Sequence, residues 1–170
     1  AALKAVTYND TDATTGNTAQ RTIRFAVNDG TDSSANADTT VSLVRAPILD
    51  LDTTNGATQN TTASFTEDAG AIALVGANIG ISDDATTFKA LKVVVSDSQD
   101  GANETLTTSA GTGAQPIGGE AVTITYTAGT HTLDITVDDG SANAASLQAI
   151  MQAIRFNDAS HTPNTASRNV

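Results

Sequence analysis

Apolar residues recur at every second position over several short stretches of this chain. In residues 21–28, Ile23, Phe25 and Val27 alternate with Thr22, Arg24 and Ala26, the period of a strand with one buried face. Asn28-Asp29-Gly30 signals the turn that ends it, and Val41 and Leu43 mark a returning strand over 39–44. The pair is expected to form a hairpin with a long polar tip. Arg45-Ala46-Pro47 reads as a boundary, because proline cannot donate to a ladder and belongs at a strand start or between domains. Beyond it, strands are expected over 48–52, over 63–66 and 71–75 on either side of Glu67-Asp68-Ala69-Gly70, and around Ile79 and Ile81. Others follow over 89–96, 105–108, 121–127 and 132–137, each of the longer ones alternating. Residues 97–104 read as an acidic turn, 109–120 as a glycine-rich loop and 128–131 as a hairpin turn.

One segment changes period. Leu147, Ile150, Met151 and Ile154 fall at i, i+3, i+4 and i+7, with Ser141 or Asn143 available as N-cap, so a short amphipathic helix is expected there. Its apolar stripe is core contact rather than a cofactor box. Residues 1–6 read as the end of a similar helix, and 8–20 as a polar loop. Seven or more short strands separated by turn signals, with a single helix among them, predict an all-β chain: an antiparallel β-sandwich with one short crossover helix.

The chain also repeats itself. Residues 3–21 (LKAVTYNDTDATTGNTAQR) return as 151–168 (MQAIRFNDASHTPNTASR), with one residue dropped opposite Gly16. Ala5, Asn9, Asp10, Thr14, Asn17, Thr18, Ala19 and Arg21 match Ala153, Asn157, Asp158, Thr162, Asn164, Thr165, Ala166 and Arg168. Recurrence at domain length is the mark of a tandem array, an architecture used for reach and scaffolding more than for chemistry. Residues 1–46 then read as the C-terminal part of a preceding repeat, carrying a closing hairpin at 21–44. Residues 47–170 read as a repeat that lacks its own closing hairpin, and Ala1 as an internal point of a longer chain. The strands of 21–44 are expected to complete a sandwich, either in their own chain or in a neighbouring chain by strand donation, since an open sandwich leaves an unpaired sheet edge.

Composition narrows the function classes. The 170 residues support a buried core. Cysteine is absent, which removes disulfides and thiolate chemistry. A net charge of −11, from 19 acidic and 8 basic residues, repels phosphate backbones and anionic bilayers and favours a divalent cation. No stretch approaches the roughly 18 apolar residues of a membrane-spanning helix. His131 and His161 are the only imidazoles and fall in a hairpin turn and a polar loop, and no G-x-S-x-G occurs. An enzyme is therefore not expected. Asn9, Asn60 and Asn103 begin formal glycosylation sequons.

Calcium takes 6 to 8 oxygen ligands at about 2.3–2.6 Å, which acidic turns at strand ends can supply. Four groups qualify: Asp50 with Asp52; Glu67 and Asp68 with Asp83 and Asp84; Asp97 and Asp100 with Glu104; and Asp29 with Asp32 beside Asn28. Each acidic turn also serves as a turn without any ion. The stretch from Asp50 is not a helix-loop-helix calcium loop, because its glycine, Gly56, comes one place late and Thr61 stands where glutamate is needed.

The order of Ala46-Pro47, Leu49-Asp50-Leu51-Asp52, Phe65-Thr66-Glu67, Ser82-Asp83-Asp84, Phe156-Asn157-Asp158 and Arg21-Thr22-Ile23 with Val27-Asn28-Asp29-Gly30 resembles the cadherin-like tandem repeats of very large secreted bacterial adhesins. The likeness runs over nearly the whole chain. It implies a Greek-key β-sandwich of cadherin or immunoglobulin type, a place at the bacterial cell surface, calcium between or beside domains, and a role in adhesion or biofilm. By position it implies that Glu67, Asp83, Asp84 and Asp29 are acidic calcium-site residues. Arg45 departs from the pattern by putting a cation where that family's linker is acidic.

The expected function is a calcium-stabilised spacer of a surface adhesin, contacting neighbouring repeats head to tail, with an unidentified surface or glycan target. The alternative is the subunit of an extracellular filament of identical subunits joined by exchanged strands. A carbohydrate-binding module is a third class, and would need an exposed aromatic pair.

Overall fold

The computed structural model describes residues 6–11, 18–56 and 58–170, so residues 1–5 of the expected helix end and 12–17 of the expected loop at 8–20 lie outside the described residues. The chain divides into two compact units, Ala1–Ala46 and Pro47–Val170. Among the described residues it is mostly strand, in several antiparallel sheets, with one short α-helix. Among the described residues no helix is long and apolar enough to cross a membrane.

The first unit carries β1 (Arg21–Phe25) and β2 (Ala37–Val41), paired antiparallel as a two-stranded sheet. The register sets Ile23 opposite Thr39 and Phe25 opposite Ala37, so the returning strand starts earlier than its apolar pattern suggests. Arg24 lies opposite Asp38 and grips it through two hydrogen bonds of 2.8 Å. One hairpin face thus carries the Arg24–Asp38 pair, and the other carries Ile23, Phe25 and Val41 together with Arg21. The tip is tied by its own side chains. Asn28 Oδ1 accepts from Gly30 N (2.7 Å), and Asp29 Oδ1 accepts from Thr31 N (2.9 Å) and Asp32 N (3.0 Å).

The second unit holds three sheets. β3 (Ile48–Asp50) pairs with β5 (Gly80–Ser82). A three-stranded sheet has β4 (Ile72–Ala73) and β7 (Glu104–Thr108) on either side of β11 (Ile154–Asp158). A four-stranded sheet runs β6 (Ala90–Val94), β10 (Thr132–Val137), β9 (Glu120–Thr127), β8 (Gly113–Ile117). Helix α1 (Ala144–Gln152) is capped by Asn143, whose Oδ1 accepts from Ala145 N and Ser146 N. A single apolar cluster joins these layers: Val122, Ile124, Leu133 and Ile135 from the larger sheet, Leu106 and Phe156 from the smaller, and Ile150 and Met151 from the helix.

Three elements depart from expectation. Residues 109–120 are not a loop, because Gly113–Ile117 is strand β8, joined to β9 through Gly118-Gly119 at φ +65° and +85°. That pair suits a two-residue hairpin turn, which needs positive φ at both positions. Pro116 is tolerated because β8 is an edge strand. Ile154 belongs to β11 and not to the helix, which ends at Gln152. Residues 63–66 form no strand.

Candidate functional site

The strongest concentration of chemistry lies where the acidic turn enters β7. Glu104 opens that strand, and the ladder places Asp158, the last residue of β11, directly opposite it. Both are buried. Like charges facing each other across a ladder are destabilising, so this pairing needs a counter-charge.

Arg168 supplies it. Its Nε donates to Glu104 Oε1 at 2.5 Å and its Nη2 to Asp100 Oδ2 at 2.7 Å, while Nη2 lies 3.8 Å from Asp158 Oδ2. The guanidinium is itself largely buried, at 11% side-chain exposure. Its remaining donor is used locally, on Asn164 O (2.8 Å) and Ala166 O. Asp100 Oδ2 also accepts from Asn164 N (2.8 Å), and Glu104 Oε2 from Gln99 N (3.2 Å). A planar fork that satisfies several carboxylates at once suits arginine and not lysine.

Burial pushes the Glu104 carboxyl up, but the neighbouring Ser98 hydroxyl, the Arg168 guanidinium and the Gln99 N–H outweigh it and hold the group below its ordinary value. Ser98 Oγ itself is buried and makes no hydrogen bond of normal geometry. Asp158 moves the other way. Burial raises it first, and the adjacent Asp100 and Glu104 carboxylates raise it further, against the Ser160 N–H that stabilises its charge. Three carboxylates share one guanidinium, leaving a formal excess of two negative charges when all are ionised.

The trailing segment is fastened a second time, one residue on. Asn169 N donates to Asp97 Oδ1 (2.6 Å), its side-chain amide donates to Asp97 Oδ2 (3.0 Å), and its carbonyl accepts from Ser96 N (3.0 Å).

Of the expected acidic residues, Asp100 and Glu104 come together, joined by Asp158, with one carboxylate oxygen from each within 4.8 Å of the others. Asp97 engages Asn169 beside them. Glu67 and Asp68 form a second group, but with His161, and all three are exposed. Asp83 and Asp84 belong to neither group. Asp50 and Asp52 serve a turn: Asp50 Oδ1 accepts from Asp52 N (3.0 Å), and Asp52 Oδ1 from Thr54 N (3.1 Å) and Thr54 Oγ1 (2.5 Å). Hydrogen bonds from Thr54 hold the Asp52 carboxyl below its ordinary value. Asp29 and Asp32 lie in the first unit, where the Asp32 and Thr31 N–H groups lower the Asp29 carboxyl.

Asp158 and Arg168 were absent from the expected site. The signal for both was the internal repeat, in which they match Asp10 and Arg21. Locally the two copies also agree, since Arg21 Nη1 donates to Ala19 O as Arg168 Nη1 donates to Ala166 O. No protein-family model, curated protein or solved structure matches this chain.

Proposed function

We propose that the chain is a structural module of an extracellular tandem-repeat adhesin, a spacer at the bacterial cell surface stabilised by calcium. On this proposal the second unit is a Greek-key β-sandwich of cadherin-like type. The recurrence of residues 3–21 at 151–168 carries it, because the copied arginines make the same contact two residues back along the chain. An array of copies provides length, and each copy stiffens the next through its junction.

Calcium enters as the counter-ion for the excess charge around Arg168. Asp100, Glu104 and Asp158 would hold it, since three carboxylates form the hard oxygen set that this ion takes. The exposed group of Glu67, Asp68 and His161 fits less well, because it includes an imidazole. Bound calcium would offset the carboxylate repulsion and stabilise the folded module by mass action. The test is thermal melting in calcium and in excess chelator. A lower melting temperature in chelator is expected, and identical melting curves would remove calcium from the proposal.

A second reading, the subunit of a filament joined by exchanged strands, is favoured by one observation. Strand β6 is an edge of its sheet and borders an open apolar groove.

A further inference from the structure

The loop that follows β3 holds the only asparagine of the chain with glycine directly after it, Asn55-Gly56. The main-chain nitrogen of a following residue can attack an asparagine side-chain carbonyl and close a succinimide ring. Glycine in second place leaves that nitrogen unshielded. The fold decides whether the ring closes, through its hold on the carbonyl, the nitrogen and the space around them.

Each of these is set for reaction. Both residues are exposed, and a Cβ added at Gly56 would meet nothing within 4 Å, so solvent reaches the nitrogen. Among the described residues none accepts a hydrogen bond from Gly56 N. Asn55 Oδ1 accepts from Thr58 N at 3.3 Å, a donor placed for the negative charge that develops on this oxygen during attack. Asn55 Nδ2 donates to Asn60 O (2.7 Å) and Asn55 N to Asp52 O (3.3 Å), so the residue is held in place within its turn.

Three Asp-Gly pairs could close the same ring and are held against it. An ionised carboxylate is a poor target for a nitrogen nucleophile. The Asp32 and Thr31 N–H groups hold the Asp29 carboxyl, before Gly30, below its ordinary value. The Ser141 hydroxyl and N–H do the same for Asp139, before Gly140. Asp100, before Gly101, is engaged through Oδ2 by Arg168 Nη2 (2.7 Å) and Asn164 N (2.8 Å). Asn55 is a neutral amide and has no such protection.

We infer that Asn55-Gly56 is a self-modification site, at which the folded chain converts its own asparagine into an acidic residue. The bond from Gly56 N to Asn55 Cγ forms, the Cγ–Nδ2 bond breaks, and ammonia leaves with the proton that Gly56 N gives up. Water from solvent then opens the ring at either carbonyl, giving aspartate or isoaspartate. In sum an amide and water become a carboxylic acid and ammonia, with no change of oxidation state. The product adds a negative charge to the −11 of the chain. Its carboxylate cannot donate to Asn60 O, so the tie across 55–60 is lost. Neither calcium nor the repeat enters this inference.

The test uses the full chain, aged at mildly alkaline pH and cut with trypsin. The peptide from Ala46 to Lys89 is expected to gain about one dalton at Asn55 before any other asparagine of the chain reacts, with isoaspartate detected by methyltransferase labelling. The intact protein should gain a more acidic form on anion exchange, and Asn55→Gln should lack that form. An Asn55 that stays an amide in the folded chain while it converts in urea overturns the inference, because the fold then protects it. Isoaspartate arising at Asp29, Asp100 or Asp139 as fast as at Asn55 overturns it as well, and so does an acidic form that persists in Asn55→Gln.

Discussion

Replacing Arg168 by methionine keeps the length of the side chain and removes the only guanidinium among Asp100, Glu104 and Asp158. In the parent, that guanidinium makes hydrogen bonds of 2.5 and 2.7 Å to two carboxylates and lies 3.8 Å from the third. Its loss leaves Glu104, fully buried, facing Asp158 without the guanidinium that offsets the repulsion. Removing one partner of a buried pair costs about 3–5 kcal/mol, because the other charge stays desolvated and unpaired. At roughly 2–4 °C per kcal/mol for a domain of this size, the melting temperature should fall by roughly 6–20 °C at neutral pH. Arg168→Lys should lie between, since it keeps the charge but not the fork. Adding Glu104→Gln and Asp158→Asn to Arg168→Met should recover most of the loss, because the two buried charges are then gone and only Asp100, which also accepts from Asn164 N, remains. Differential scanning calorimetry of the four proteins gives the comparison. A loss in Arg168→Met no larger than the roughly 1 kcal/mol of an exposed surface pair would refute the assignment of a buried counter-charge.

Acidification should act in two opposed stages. Asp158 has its carboxyl raised by folding, so its contribution is fully present below the unfolded value and fades as pH rises through the folded one. Glu104 has its carboxyl lowered, so its contribution is present above the unfolded value and lost as pH falls through the folded one. Melting temperature in excess chelator, followed from neutral pH downward, should therefore hold or rise first and then drop, and Asp158→Asn should raise it at neutral pH and abolish the first stage. Gly118→Ala should destabilise the fold by about 1–3 kcal/mol: φ is +65°, and an added Cβ would lie 2.7 Å from Ser146 O and 2.9 Å from Ala149 Cβ. Urea titration reads that loss, and an unchanged midpoint would mean that Gly118 does not lie against Ser146 and Ala149 of α1.

What the sequence made legible was the local pattern. The alternation in 121–127 and 132–137 marks β9 and β10, and the i, i+3, i+4 spacing from Leu147 marks α1, because each signal is confined to one element. Strand β8 was hidden because Gly113-Ala114-Gln115-Pro116-Ile117 does not alternate in hydrophobicity, and its extended form comes from pairing with β9. Ile154 was misplaced because it satisfies the helical stripe and the following strand at once. The acidic site was half legible. Asp100 and Glu104 are near in sequence, but Arg168 lies 64 residues beyond Glu104, and only the ladder between β7 and β11 brings Asp158 alongside. Turn chemistry alone could not tell that Glu67 and Asp68 meet His161 and not Asp83.

The position of Arg168 along the chain bears on the order of events when the module is made. A ribosome delivers Glu104 long before its counter-ion, so a half-made module carries a strand whose first carboxylate has nowhere to bury itself. The full set of contacts around that carboxylate exists only once the segment that follows β11 is in place, so this corner is built from the two ends of a 64-residue span.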